Sequence, residues 1–357
     1  MLSEVKISNI RNIKSAHLKL SGDINIFVGP NGSGKTSILE GIYLLSRSRS
    51  FRTQSLNKVR TKNEEALVVY GLLDDGKTKH QIAIKKTNQE TKIKINGKSE
   101  KKASELTEYF KVHLIRPESQ TLLERGSSVR RAFVDWGVFH VKHQFLDNAK
   151  KYNHTLKQRN KLLKHRDEST LPIWSRKLAE YGTIVNADRE GYLELLARAL
   201  DETIKPLLGD MDIQLSYTCG WQAEVTLEQA LNASVKKDLL KGYTTVGPHR
   251  SDITLRVDGH LAQDYLSRGQ MKLAVMALCL AQAKVSARVN NQNICVLIDD
   301  LSAELDGVNL GKVLKLLYDT GAQILVTTTD RFAFKDWLKL EKTKLFHVEQ
   351  GLITEGA

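Results

Sequence analysis

The sequence predicts an α/β fold, with a mixed or parallel sheet, an antiparallel β lobe and a long, mainly helical insertion. The first observation behind this prediction is a glycine-rich loop at residues 29–36, which lies between a strand-like run and a helical run. The second is an apolar run that ends in two carboxylates, Asp299 and Asp300. Because both features belong to one sheet, the helical residues from 129 to 208 interrupt that sheet and form an insertion.

The glycine-rich loop reads G-x-x-x-x-G-K-[ST], follows the apolar run 24–28 and leads into helical spacing at 37–45. In such a loop, main-chain N–H groups point at phosphate oxygens, and the helix N-terminus adds a partial positive charge. Lys35 should reach the β- and γ-phosphates, and Thr36 should ligate Mg²⁺. A plain turn before an ordinary helix is the alternative. The residues expected to bind a nucleoside triphosphate are Gly29, Pro30, Asn31, Gly32, Ser33, Gly34, Lys35 and Thr36.

The run at 294–298 is continuously apolar, which is typical of a strand buried on both faces of a parallel sheet. A carboxylate at the end of such a strand faces the crevice where ligands bind. We therefore expect Asp299, with Thr36, to hold Mg²⁺, and Asp300 to orient or deprotonate the attacking water. The candidate catalytic residues are Lys35, Asp299 and Asp300. Two adjacent acids can also form a solvated turn.

Ser267, Gly269 and Gln270 form an S-x-G-Q box before a long apolar helical run that ends near residue 289. Together with S-A-E-L-D at 302–306, this box resembles the signature motif and D-loop of ABC-type ATPases. In that superfamily the box of one subunit covers the γ-phosphate bound by its partner, with a helix N-terminus facing an anion. The resemblance implies an ABC-type P-loop ATPase head and an ATP-dependent homodimer.

The chain resembles the RecF family over essentially its whole length. That resemblance implies ATP and Mg²⁺ as cofactors, DNA (single-stranded, duplex or a gap junction) as ligand, and RecR- and RecO-type mediators as partners. It also implies roles in recombinational repair, replication recovery, recombinase loading and SOS induction, with Arg11 and Asn12 as extra phosphate or ribose contacts. The blocks that carry it are Arg11–Asn12, Arg130–Asp135, Gly247–Asp252 and Leu266–Gln270. For Gly247–Arg250, a turn that supports the next strand is the alternative to a functional role.

Two departures from the ABC transporter pattern indicate slow hydrolysis. Asp300 stands where transporters usually carry a longer Glu, and no His follows the apolar run 323–326. We expect weak ATPase activity, with ATP acting mainly as a clamp on the dimer.

Basic charge is abundant and clustered. The chain has 54 Lys and Arg against 41 Asp and Glu, a formal charge of +13. Residues 46–63 contain six Lys or Arg and no acid, and residues 113–166 contain twelve against four acids. This distribution predicts a nucleic-acid surface, with general solubility as the alternative. We expect contacts from the segment 47–62 and from four residues of the insertion, Lys157, Arg159, Lys161 and Lys164.

The predicted domains are the N-terminal part of the head at 1–112, the helical arm at 113–242 and the C-terminal part of the head at 243–357. Within the arm, a turn at 167–172 should separate two amphipathic helices, and Asn96–Gly97 should form a hairpin turn in the β lobe. The arm is too short for an SMC coiled coil and too basic for a transporter subdomain. An ABC transporter ATPase subunit is the second interpretation, and a P-loop kinase the third.

No membrane segment is predicted, because the longest apolar stretch, at 274–281, is far below the roughly 20 residues that cross a bilayer. The N-terminal residues show no signal-peptide pattern, so we expect a cytoplasmic protein.

Overall fold

The structure is a computed structural model that describes residues 1–74, 76–116, 119, 121–142, 144–291, 294–301 and 305–356. Its strands are β1 (Leu2–Ile10), β2 (Ile13–Lys19), β3 (Ile24–Val28), β4 (Leu67–Asp74), β5 (Lys79–Lys86), β6 (Thr91–Ile95), β7 (Lys98–Glu100), β8 (Lys111–Ile115), β9 (Ile213–Thr218), β10 (Asp252–Val257), β11 (His260–Leu261), β12 (Ile294–Ile298), β13 (Gln323–Thr328), β14 (Thr343–Glu349) and β15 (Leu352–Gly356). Its α-helices are α1 (Lys35–Arg47), α2 (Leu56–Val59), α3 (Leu106–Tyr109), α4 (Thr121–Glu124), α5 (Ser127–Val141), α6 (Phe145–His165), α7 (Leu171–Leu208), α8 (Leu227–Ala233), α9 (Val235–Lys241), α10 (Ala262–Tyr265), α11 (Arg268–Val289) and α12 (Gly307–Tyr318).

The chain divides into two compact units. Unit 1 comprises Met1–Ser119 and Ala283–Ala357, and unit 2 comprises Gln120–Gln282. Helix α11 begins in unit 2 and ends in unit 1. The functional boundaries proposed from the sequence, after residues 112 and 242, stay predictions.

Unit 1 contains the sheet predicted from the two motifs. Its strand order is β15-β14-β3-β13-β12-β8, and β14, β3, β13, β12 and β8 run parallel. Strand β13 lies between β3 and β12, so the carboxyl ends of these three strands meet at one edge. Both motifs therefore share one sheet, as predicted.

The antiparallel β lobe is a second six-stranded sheet in unit 1, with the order β2-β1-β4-β5-β6-β7. The apolar face of helix α1 shares one core with this sheet and with β3, β12 and β13. The β6–β7 connection is the predicted two-residue turn, with φ of +50° at Asn96 and +80° at Gly97. Two consecutive residues with positive φ are typical of a type I′ hairpin, which explains the Asn-Gly sequence.

Unit 2 is built around the predicted helical hairpin. Helices α6 and α7 pack against each other, and Arg159 Nε of α6 donates to Ser175 Oγ of α7 at 3.0 Å. A short three-stranded sheet, in the order β11-β10-β9, completes the unit. Within the described residues, no helix is both long enough and apolar enough to cross a membrane.

Candidate functional site

The glycine-rich loop connects β3 to α1, and its glycines are required by geometry. Gly32 and Gly34 have φ of +77° and +119°, a region that side chains with a Cβ rarely adopt. A Cβ on Gly29 would collide with the main-chain oxygen of Val348. These positions give the loop the compact shape that turns main-chain N–H groups toward an anion.

Lys35, the first residue of α1, folds back over this loop. Its Nζ donates to the carbonyl oxygens of Gly29 at 2.7 Å and Pro30 at 3.0 Å. Burial lowers the pKa of Lys35, while the nearby carboxylates of Asp300 and Asp299 oppose that shift. The amine is thus held at the loop, next to two acids, where phosphate oxygens would give it a better partner than neutral carbonyls.

The predicted metal ligands are brought together across 263 residues of sequence. Thr36 Oγ1 donates to Asp299 Oδ1 at 2.9 Å, and Thr327 Oγ1 donates to the same oxygen at 2.8 Å. Burial raises the pKa of Asp299, although these two hydrogen bonds oppose the shift. A neighbouring cation would stabilise the buried carboxylate, and Mg²⁺ prefers such oxygen ligands, so the site fits the ion.

Asp300 follows β12 with an unusual backbone. Its φ is +48°, in the left-handed region that a residue with a side chain adopts only at a cost. Its main-chain N–H donates to Thr327 Oγ1 at 2.9 Å. In the part of the chain that the structure describes, the buried Oδ1 of Asp300 has no hydrogen-bond partner. An unsatisfied carboxylate oxygen at this edge can accept a proton or hold a water molecule.

Arg11 and Asn12 lie beside the loop but contact protein groups. The Nε and Nη2 of Arg11 donate to the buried carboxylate of Glu40, both at 2.8 Å. Asn12 Nδ2 donates to the carbonyl oxygen of Ser33 at 2.9 Å, and its Oδ1 accepts from Ser37 Oγ at 3.2 Å. Both residues therefore brace the P-loop and α1. Their contact with phosphate or ribose stays a prediction.

The S-x-G-Q box lies at the start of helix α11, as predicted, and Ser267 caps that helix. Its Oγ accepts from the main-chain N–H of Gln270 at 3.3 Å, and the Gln270 side chain accepts from the Ser267 N–H at 3.0 Å. Ser267 and Gly269 are exposed, and no neighbour lies within 4 Å of the position where a Cβ would stand on Gly269. This helix end belongs to unit 2, whereas the P-loop belongs to unit 1.

Part of the predicted D-loop, Ser302, Ala303 and Glu304, lies outside the described residues. Asp306 is described and caps helix α12, with its Oδ1 accepting from the N–H of Asn309 at 2.9 Å.

The Gly247–Arg250 block forms a short 3₁₀ turn directly before β10, which agrees with the turn interpretation. Arg189 of α7 binds the carboxylate of Asp135 and donates to the carbonyl oxygen of Pro248 at 2.7 Å. Arg130 binds Asp252 through two hydrogen bonds of 2.7 Å. Two blocks of the family resemblance thus meet in one ionic network that joins α5 and α7 to this turn.

The expectation that Arg159 contacts DNA is wrong. Its side chain is 0% exposed and forms an ion pair with Asp238, also 0% exposed, at 2.8 Å. The same Nη1 donates to Thr244 Oγ1 at 2.7 Å. Arg159 shares the buried side of α6 with Tyr152 and Leu163, so its charge stabilises the arm from inside.

The lysines predicted beside Arg159 do face solvent, and they extend into a longer row along α6. We call this row the lysine stripe; its members recur every three or four residues and are therefore on one side of the helix. The exposed residues of the stripe are Lys150, His154, Lys157, Lys161 and Lys164. In the segment 47–62, the exposed basic residues are Arg49, Arg52, Lys58 and Lys62.

Two residues of the site escaped prediction. Thr327 directly follows the run 323–326, and the reasoning applied to Asp299 would have placed it at the same edge of the sheet. Glu40 is fully buried on α1 and holds both Arg11 and Ser50 Oγ. Little in the sequence indicated this burial, because a Glu in the first turns of a helix is usually expected to be exposed.

Comparison with known proteins agrees with this geometry. The family model described as the RecF/RecN/SMC N terminal domain matches residues 1–354. The DNA replication and repair protein RecF of Shewanella loihica is 38% identical over 355 residues, which are 99% of each chain. Its counterpart in Shewanella woodyi is 39% identical, over 99% of this chain and 97% of that protein.

Solved structures give the same result. The recombination mediator protein RecF-ATPrS in the RecFOR pathway superposes with a TM-score of 0.88 at 27% identity, over 100% of this chain and 98% of that chain. An SMC head bound to the C-winged helix domain of ScpA has a TM-score of 0.62 at 13% identity, over 99% of this chain and 96% of that chain, which shows the fold alone. The fold is that of an ABC-type ATPase head, and the chain belongs to the RecF family.

Proposed function

We propose that this protein binds ATP and DNA in recombinational repair and replication recovery. The observation that carries the proposal is the junction of the P-loop with the end of β12, where Thr36 donates to Asp299 and Lys35 lies over the loop. A buried amine, a hydroxyl and two acids at one edge of a sheet suit a triphosphate with its metal ion. RecF-ATP and RecF-ATPrS structures of relatives support ATP as the nucleotide.

Each residue of the pocket has a separate role in this proposal. Lys35 binds phosphate oxygens, while Thr36 and Asp299 would hold Mg²⁺, which neutralises phosphate charge when bound. Thr327 orients the Asp299 carboxylate. Asp300 is aligned by its N–H bond to Thr327, and its free oxygen holds the attacking water and accepts its proton. The short Asp300 side chain supports slow hydrolysis.

DNA would bind along the lysine stripe of α6. Exposed lysines at helical spacing present a row of charges that matches a phosphate backbone. Lys150 Nζ lies 3.7 Å from Asp147 Oδ1. Within the described residues, the other lysines of the stripe form no salt bridge; they are Lys157, Lys161 and Lys164. This surface favours a nucleic acid over the membrane partner that a transporter subunit needs.

A homodimer closed by ATP would link the two activities. The exposed N-terminus of α11, with the Ser267 hydroxyl and the Gly269 amide, has the chemistry to bind the γ-phosphate on a second subunit. RecO- and RecR-type mediators are the proposed partners, because the matched RecF structures belong to the RecFOR pathway. Recombinase loading near DNA gaps and SOS induction complete the proposal.

Two substitutions test the dimer. Asp300→Asn should keep ATP binding and stall hydrolysis, which leaves a long-lived dimer in gel filtration. Ser267→Arg should leave ATP binding to the monomer intact and prevent dimer formation, since a bulky cation replaces the small hydroxyl. Normal ATP-dependent dimerisation of Ser267→Arg would contradict the trans-acting role of this box.

A further inference from the structure

We propose that Leu240, Tyr243 and Arg250 form a stacking site for an unpaired DNA base, next to the lysine stripe. The inference rests on the DNA binding proposed above and adds the class of DNA that this surface selects. A duplex would occupy the stripe, and the first unpaired nucleotide of an adjoining single strand would contact the stacking site.

The stacking site consists of two exposed apolar side chains and a cation. Leu240 is 82% exposed and Tyr243 is 40% exposed. The guanidinium of Arg250 lies 5.1 Å from the centre of the Tyr243 ring, on one face of it. Exposed aromatic rings stack on bases whatever their sequence, and an arginine beside the ring adds attraction to the phosphate and to the base.

A buried network fixes this site beside α6. Thr244, the residue after Tyr243, donates its N–H to Asn160 Oδ1 at 2.8 Å. Arg159 binds both Thr244 and Asp238, and Asp238 belongs to the same helix α9 as Leu240. Arg159, which the sequence analysis assigned to DNA contact, therefore holds the stacking site in place. A fixed loop loses little conformational entropy on binding.

The end of α9 meets the turn end of the lysine stripe. Gly242 has φ of +71° and faces the main chain of Lys164, whose Cα would lie 3.8 Å from a Cβ on the glycine. The basic residues around Leu240 on α9 are all exposed, and they are Lys236, Lys237 and Lys241. The acid on this helix, Asp238, is buried and already paired with Arg159.

Positive charge beside an aromatic ring is the arrangement that binds single-stranded nucleic acid. The charges follow the backbone, and the ring stacks on a base that pairing leaves free. A duplex buries its bases, so it can use the lysines but not the ring. This difference predicts that the site discriminates between DNA forms.

The test compares three labelled DNAs, all measured with Mg²⁺ and ATP present: a duplex, a single strand, and a duplex with a single-stranded extension. Tyr243→Ala should weaken binding of the single strand and the extended duplex about tenfold, because one base loses the ring on which it stacks. Duplex affinity should change less than twofold. Tyr243→Phe should bind all three like the wild type, since the ring remains. Tyr318→Ala removes a ring of matched exposure, 41%, from unit 1 and should have no effect.

A crosslink locates the contact directly. With 5-iododeoxyuridine at the first unpaired position, irradiation should join the DNA to Tyr243 in the wild type, and that product should be missing in Tyr243→Ala. An equal drop in affinity for all three DNAs, or no drop for any, would overturn the stacking site while duplex binding still supports the lysine stripe. If the wild type binds none of the three DNAs, the proposed function fails with it.

Discussion

The nucleotide pocket of unit 1 and the basic arm of unit 2 use charged residues in opposite ways. In the pocket, Lys35 and Asp299 are largely buried and each is held by hydrogen bonds from or to the loop, α1 and β13. On the arm, Lys157 and Lys161 point into solvent. Arg159, between them in sequence, is fully buried and paired.

The difference shows that the direction of a side chain, more than its charge, decides its role. A buried charge with fixed partners acts on one group with defined geometry, and its removal leaves those partners unsatisfied. An exposed lysine acts on whatever anion approaches, and its removal changes affinity by a modest step. Four variants test this difference, and they follow in decreasing order of expected effect.

The largest effect should come from Arg159→Ala. Removing one partner of a buried ion pair costs about 3–5 kcal/mol, here because Asp238 stays buried without its cation. We expect this decrease in the free energy of unfolding, measured by chemical denaturation. Lys157→Ala, two residues away, should change it by less than about 0.5 kcal/mol. Adding Asp238→Asn to Arg159→Ala should recover part of the decrease. Equal stability of the two single variants would contradict the buried role of Arg159.

Lys35→Ala should come second. The charged hydrogen bonds from its Nζ to phosphate oxygens contribute about 1.5–3 kcal/mol, so ATP affinity should fall at least roughly tenfold in calorimetric titration. Unfolding of the free variant should be monitored as a control, because Nζ also holds the carbonyl oxygens of Gly29 and Pro30. ATP affinity within a few-fold of the wild type would remove Lys35 from the phosphate site.

Replacing three of the four exposed lysines of the stripe should give the third largest effect. With Lys157, Lys161 and Lys164 all changed to Ala, the slope of log affinity against log salt for duplex DNA should become shallower by about 0.9 for each phosphate that the variant no longer binds. ATP affinity should not change. The control triple variant replaces exposed lysines of the β lobe, Lys85, Lys94 and Lys98. A slope that changes only in the control would move the DNA site to unit 1.

Asp299→Asn should have the smallest effect on the free protein. Burial raises the pKa of Asp299 above its ordinary 3.8, so the folded chain favours the protonated acid. Stability therefore falls as pH rises from 3.8 through the folded pKa, and the decrease is complete above it. At pH 7 the variant should equal or exceed the wild type by up to about 1 kcal/mol without ligand.

With Mg²⁺ and ATP, the order of Asp299→Asn and wild type should reverse, because only the carboxylate gains from the cation. Thermal unfolding with and without the ligand at pH 7 measures both states. A variant that gains as much stability from Mg²⁺ and ATP as the wild type would exclude Asp299 as a metal ligand.

Most of the pocket was predictable, because its residues either are close together in the sequence or lie at the carboxyl ends of neighbouring strands. The P-loop is one continuous motif, and Asp299 follows a strand whose apolar run indicates a parallel sheet. Thr327 meets the same condition on β13. By contrast, the protein contacts of Arg11 depend on Glu40, whose burial comes from packing of α1 between two sheets. Hydrophobic periodicity does not predict that a buried acid such as Glu40 binds Arg11.

The helices of the arm were predictable from the sequence, but the ion pair buried between them was not. Amphipathic spacing predicted the helices α6 and α7 and a turn between them, but α7 begins at Leu171, inside the turn predicted at 167–172. Arg159 occupies a core position of that spacing, with Thr155 and Leu163, and this was the available sign of its burial. Its partner Asp238 lies 79 residues away, and nothing in the spacing connects the two.

The most direct test of an ATP-gated DNA-binding protein is sedimentation velocity of the full chain with fluorescent duplex DNA, with and without Mg²⁺ and ATP. We expect a dimer on DNA with ATP, and free monomer with mostly unbound DNA without it. Lys35→Ala should remain a free monomer, with mostly unbound DNA, both with and without Mg²⁺ and ATP. Equal DNA binding by a monomer in the presence and absence of ATP would contradict the link between the pocket and the arm.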